Sequence, residues 1–168
     1  MLRHRDRGDH VTFKLRQDLI SIGDDYWIED SSGNRMFRVN GKAIRWRDTW
    51  VLEDQSGNAV AKIKEKKLSV RDAITIDIDG HDAVVKKALI GIRDRYHVEV
   101  DHGEDLSAHG NFVDHEYKIE RDGDTIAEVS KKWFRVRDTY GIEVYDVAFA
   151  PICLAVTVAI DALSHDRI

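Results

Sequence analysis

Apolar and polar residues alternate along most of this chain. Phe134, Val136, Tyr140, Ile142 and Val144 share one parity within their run, as do Leu68, Val70, Ile74, Ile76 and Ile78 within theirs. A period of two predicts strands with one face buried. The runs also share a polar interruption: WRDTWVL at 46–52, VRDAITI at 70–76, IRDRYHVEV at 92–100 and VRDTYGIEV at 136–144, with a weaker IGDDYWI at 22–28. Aligned on the aspartate, the preceding apolar residues are Ile22, Trp46, Val70, Ile92 and Val136, spaced by 24, 24, 22 and 44 residues. The last interval is twice 22, and NFVDHEYKI at 111–119 fills the gap as a degenerate sixth unit. A period of this length marks a repeated supersecondary unit.

Two geometries fit the Arg-Asp interruption. The triplet forms a three-residue hairpin loop, where Asp bonds nearby backbone N–H groups, or it lies within an unbroken strand with Asp pointing inward. The cost of a buried carboxylate favours the loop. Between units lie stronger turn signals: DSSGN (30–34), DQSGN (54–58), IDGHD (78–82), DHGED (101–105) and RDGD (121–124). Within units the apolar parity switches near Lys42, Lys66-Lys67 and Lys131-Lys132, which predicts bulges or corners at the lysines. Six two-strand units make about twelve antiparallel strands, and closure removes the exposed edges of so long a sheet. A lumen that wide needs filling.

The C-terminal segment can fill it. From Val147 to Ile160 there is no charge, and Thr157 carries the only polar side chain. A helix apolar all round is buried in a core or in lipid. The 14 uncharged residues fall short of the ~20 that span a bilayer, which favours a core helix over a membrane anchor. Pro151 suits the first turn, and Asp161 is expected to stop the helix. The expected organisation is a flexible charged segment over 1–10 and a single domain over 11–168, with the central helix at 147–165.

Composition narrows the class. The 168 residues are 42% hydrophobic and 34% charged, typical of a globular protein. The net charge of −5 argues against a nucleic-acid partner. Cys153 is the sole cysteine, so no internal disulfide forms, and the N-terminus lacks the apolar core of a signal peptide. The expectation is a cytoplasmic protein, neither secreted nor membrane-spanning, with room for a peripheral membrane association.

DHEYKIERDGDTIAEVSKKWFRVRDTYGIEV, followed by LAVTVAIDALSHD, resembles the bacterial and archaeal branch of the LURP-one-related family, within the tubby-like superfamily that also holds the phospholipid scramblases. LRQDLISIGDDYWIED resembles that family's opening hairpin. The resemblance implies a mainly β fold: a tubby-like barrel of twelve strands around a buried C-terminal hydrophobic helix. It also implies phosphoinositide binding through surface Lys and Arg, as in tubby-like domains. The acylated cysteines of scramblases have no counterpart here, since Cys153 falls in the predicted helix.

No phosphate-binding glycine loop, nucleophile elbow or zinc-spaced Cys/His set occurs, so no catalytic residue and no cofactor is assigned. His102, His109 and His115 lie among acids in 101–116, a set that either holds a transition metal or belongs to a solvated loop. Lys66, Lys67, Lys131, Lys132, Arg135 and Arg137 are the candidate lipid-binding residues. Trp133 beside them is off the inward parity and suits an interfacial anchor. The expected function is a non-enzymatic module recognising anionic phospholipid headgroups at its outer basic surface. The alternatives are a protein-interaction domain without lipid contact and a metal-dependent protein using the 101–116 loop.

Overall fold

The turn chemistry fixes the strand pairing. In DSSGN, the Asp30 carboxylate accepts from the Ser32 and Asn34 N–H groups, and the Gly33 N–H donates to the Asp30 carbonyl at 3.1 Å. DQSGN repeats the arrangement with Asp54, Ser56, Asn58 and Gly57. Gly33 and Gly57 hold φ of 84° and 85°, a left-handed conformation that glycine adopts without penalty. A glycine in that role adds one residue to its strand and creates a bulge. The pairing shifts register at Ile28/Glu29 and Leu52/Glu53, leaving Met36 and Val60 as the extra residues. A third shift at Ile119/Glu120 leaves Ile126 extra.

The computed structural model describes residues 10–16, 25–40, 49–68, 71–88, 95–134 and 138–165. Its strands are β1 (Val11–Arg16), β2 (Tyr26–Asp30), β3 (Arg35–Asn40), β4 (Thr49–Asp54), β5 (Ala59–Leu68) and β6 (Arg71–Ile78). They continue as β7 (His81–Lys87), β8 (Arg95–Val100), β9 (Leu106–Asn111), β10 (Glu116–Arg121), β11 (Asp124–Ser130) and β12 (Thr139–Val144). Sequential strands pair antiparallel, and β1 closes the barrel on β12 from Val11↔Val144 to Arg16↔Thr139. A 3-10 turn (Val147–Phe149), capped by the Asp146 carboxylate, leads into the helix α1 (Ala150–His165).

Every residue of α1 from Cys153 to Leu163 is 7% exposed or less. Three turns of helix buried on all sides require walls all round, and the inward residues of the strands supply them: Phe13, Ile28, Leu52, Ile76, Val98, Ile119 and Ile142 share one core with the helix. The window Val147–Ser164 has a mean hydropathy of 2.0, sufficient by length and composition to cross a bilayer, yet here it is the core of the barrel. The outward positions of the strands carry Lys62, Lys64, Glu99, Lys118 and Glu128, the reverse of the apolar belt of a membrane barrel.

Three expectations need correction. The Arg-Asp triplet at 71–73 does not form a hairpin loop, and those at 47–48 and 93–94 lie outside the described residues. Arg71, Asp72 and Ala73 lie inside β6, paired with Leu68, Lys67 and Lys66, and the connection is residues 69–70. Asp138 does occupy a turn, at φ 60°, immediately before β12. Nor does a bulge fall at Lys66-Lys67, where β5 runs in register with β6, and the bulges follow the glycine turns instead; the chain does turn a corner at Lys131-Lys132, and Lys42 lies outside the described residues. Asp161 does not stop the helix, which continues to His165 around it. At the N-terminus His10 already docks, its Nδ1 3.3 Å from Glu143 and its ring 5.0 Å from Tyr145, whereas 1–9 lie outside the described residues.

Candidate functional site

The two ends of the barrel differ in charge. At one end each tight turn carries an aspartate: Asp30, Asp54, Asp79, Asp101 and Asp122, joined by Asp146 where the chain leaves β12 for the helix. Toward the other end the last residues of β5 and β7 include the pairs Lys66-Lys67 and Lys86-Lys87, and the connection after β11 carries Lys131-Lys132. The same antiparallel winding that builds the barrel therefore gathers the turn aspartates at one end, called here the acidic end, and these lysine pairs toward the other, called the basic end, which also carries Asp114 and Asp138.

At the basic end the connection from β11 to β12 is fastened to its neighbour. The Glu116 carboxylate, at the start of β10, accepts from the Ser130 hydroxyl and from the Lys131 N–H, both at 3.0 Å. The chain then folds back on the outside of β12. A Cβ on Gly141 would lie 2.8 Å from the Phe134 ring and 2.9 Å from the Trp133 ring, so only glycine lets those rings lie against the strand. Phe134 is thus half-buried on the outer surface rather than on the inward parity it shares in sequence with Tyr140. Trp133 stays 37% exposed beside the exposed Lys132. Val113, 78% exposed, stands in the neighbouring connection between β9 and β10 that ends at Glu116.

Among the described residues, the predicted lysine pairs Lys66-Lys67 and Lys131-Lys132 lie on different sides of the barrel. Lys66 and Lys67 lie at the end of β5, six places from β11 in a ring of twelve strands and so across the barrel from Lys131 and Lys132. Twelve strands about 4.8 Å apart and tilted by about 40° make a backbone cylinder roughly 24 Å across. The lysine pairs share a rim and not a pocket. Arg135 and Arg137 fall outside the described residues.

The histidines of 101–116 are also dispersed. His102 is exposed in the β8–β9 turn, 3.6 Å from Asp101. His109 on β9 meets Glu120 of β10 at 2.7 Å. His115 is buried at the opposite end. Among the described residues no group of three His, Cys, Asp or Glu side chains is placed to hold a metal.

His115 belongs to a polar cluster that the sequence pattern hid. Its ring stacks on Tyr140 at a centroid distance of 4.2 Å, and its Nε2 is 3.4 Å from the Asp161 carboxylate. The Tyr140 hydroxyl donates to the other Asp161 oxygen at 2.5 Å. Tyr117 completes the group, with its hydroxyl buried among these side chains. One helical turn further on, the Tyr96 hydroxyl meets Ser164 at 3.1 Å. Burial first, then the Asp161 charge, push the Tyr117 and Tyr140 phenols well above the ordinary tyrosine range. Burial alone pushes the Cys153 thiol up to about 12. These groups hold their protons at neutral pH, which fits a cluster that positions the helix rather than a nucleophile or base. A sequence signal existed: Asp161 interrupts an apolar run that continues as Ala162-Leu163.

Comparison with known proteins matches this architecture. The LURP-one-related family model matches residues 11–161, from the first strand to the buried aspartate. The chain belongs to the LURP-one-related family. A crystal structure of a protein from Arabidopsis thaliana is similar, with a TM-score of 0.61 at 15% identity over 91% of this chain and 92% of that one. At that identity the likeness shows a shared fold, the closed barrel with its C-terminal helix. No curated protein matches the chain. Within this LURP-one-related chain, the charge-sorted ends, the Trp133 connection and the buried aspartate are the features from which a function must be read.

Proposed function

We propose that this LURP-one-related chain is a non-enzymatic binding module whose basic end docks on anionic phospholipid headgroups. The observation that carries the reading is the β11–β12 connection: an exposed Trp133 directly after Lys131-Lys132, pinned to the barrel by Glu116 and Gly141, with the exposed Val113 in the adjacent connection. Apolar tips ringed by long cationic side chains suit the membrane interface, where the ring reaches the headgroup level and the charges meet anionic lipid. The placement of Lys66-Lys67 across the rim from Lys131-Lys132 supports a planar target. A separation of roughly 24 Å exceeds the Debye length of about 8 Å and the size of one headgroup, whereas a lipid surface can meet both pairs together. Arg135 and Arg137 add to the charge of the same connection.

Each Lys or Arg near an anionic surface contributes about 1 kcal/mol. Neutralising two of them with K131Q/K132Q is expected to weaken binding about 30-fold. The measurement is co-sedimentation with vesicles of phosphatidylcholine alone or with 20–30% (about) anionic lipid, at low and high salt. Binding that ignores both lipid charge and salt, or no binding to any anionic vesicle, overturns the proposal.

A further inference from the structure

The acidic end of the barrel is not flush. Where the 3-10 turn leads into α1, a cleft of about 420 Å³ opens between the helix start and the β6–β7 and β8–β9 turns. Its floor is apolar: Val60, Ile78, Val100, Phe149 and Ile152 all line it, and all are only partly buried against the core. Val60 is one of the bulge residues, so the glycine turn that displaces the strand also supplies part of this floor.

The rim is anionic. Asp79, Asp82, Asp101 and Glu104 line the cleft, and of these Asp79 and Asp82 make no ion pair among the described residues. The lining also holds His81 and His102, whose rings lie 6.0 Å apart, and its one Lys or Arg, Arg121, is already engaged. Its guanidinium stacks 5.0 Å from the Phe149 ring, and its Nε lies 3.0 Å from Glu104. The aspartates of the surrounding turns extend the negative field beyond the cleft. A concave apolar floor with two free carboxylates at its edge selects for a molecule with an apolar body and a positive charge. The volume lies in the range of small-molecule sites, roughly 300–1,000 Å³, and barrel mouths are a common location for them.

We propose that this cleft binds a small amphipathic amine. The apolar or aromatic body packs on Ile78, Val100, Phe149 and Ile152, and the ammonium group sits at Asp79 and Asp82. Burial of the apolar body supplies the affinity, while the two carboxylates supply the selection for charge. This site lies at the opposite end from the proposed lipid surface, so either proposal can fail while the other stands.

Tryptamine is the probe, with spermidine (charge without an apolar body) and indole-3-propionate (apolar body with the opposite charge) as comparisons. Calorimetric titration of the full chain at pH 7.5 is expected to give saturable 1:1 binding of tryptamine that weakens with salt, and none for the other two. Amide shift changes on titration are expected at Val60, Ile78 and Val100. D79N/D82N is expected to weaken tryptamine about tenfold; asparagine tolerates the φ of 52° at position 79, so the turn survives. Equal binding of indole-3-propionate, unchanged affinity in D79N/D82N, shifts scattered away from the cleft, or absence of saturable tryptamine binding at millimolar concentration overturns the proposal.

Discussion

Replacing Tyr140 with phenylalanine tests the polar cluster at the helix's far end. The substitution removes one oxygen and leaves the ring stacked on His115, so the volume change is negligible. What disappears is the donor to a carboxylate only 3% exposed. A hydrogen bond to a charged acceptor contributes about 1.5–3 kcal/mol net, and the low-dielectric setting puts this one toward the upper part of that range. For a chain of this length each kcal/mol moves the melting temperature by about 2–4 °C, so Y140F is expected to melt about 4–8 °C lower. D161A is expected to cost more, about 3–5 kcal/mol, because it strands the Tyr140 hydroxyl in the core and leaves a cavity. The cavity occurs in both tyrosine and phenylalanine backgrounds, so it cancels in a double-mutant cycle. Y140F/D161A is therefore expected to fall short of the summed single effects by about 1–3 kcal/mol. Urea unfolding followed by tryptophan fluorescence and circular dichroism measures all four forms. Additivity within about 0.5 kcal/mol would refute the coupling.

Other consequences follow from the same interior. Tyr117 and Tyr140 titrate above the ordinary 10.0 and Cys153 at about 12 instead of 9.0, so the unfolded chain loses these protons first as pH rises; the folded state then binds more protons, and stability, full below pH 9, is expected to fall steadily from pH 9 toward 12. A urea midpoint equal at pH 8 and pH 10.5 would contradict this. Cys153 should resist a thiol reagent at pH 8 in native protein and react fully in denaturant, and rapid native labelling would place the helix outside the barrel. Glu53 is buried, which raises its carboxyl, yet bonds from Arg38 and Asn40 outweigh burial and hold it below the usual range; its contribution is present above the ordinary 4.5 and lost as pH falls through the lowered value, so acid unfolding of R38A should begin at higher pH than that of the parent. G141A is expected to displace Trp133 and Phe134 at a cost of about 1–3 kcal/mol, with a changed tryptophan emission; an unaltered spectrum and midpoint would count against the packing seen at the outer face.

How far the sequence carries depends on which physical signal a residue answers to. The alternation that placed Ile74, Ile76, Tyr140 and Ile142 inside reports a face, and a face is set by burial alone, so these positions were legible. The turns at Gly33, Gly57 and Gly123 were legible because a left-handed residue leaves a compositional mark. The Arg-Asp triplets were not, because a period of two does not say which residue ends a strand. Pairing at Leu68↔Arg71 put the connection at 69–70 and drew Asp72 into β6. The bulges were misplaced for a related reason: a parity change can be absorbed at either end of a strand, and the asymmetric glycine turns absorb it at theirs.

The lysines show the deeper limit. The repeat puts Lys66 near the end of β5 and Lys131 just after β11 in equivalent places, but equivalence in a closed ring means separation as readily as proximity. Twelve up-and-down strands send all odd-numbered connections to one end, so any charge bias repeated with the unit accumulates at that end whatever its position around the ring. The aspartates of the glycine turns close those turns, as the bonds of Asp30 and Asp54 show. Their collective negative field follows from the topology. A structural requirement, repeated by the unit and gathered by the barrel, thus concentrates aspartates at one end, while α1 fills the lumen between the two ends.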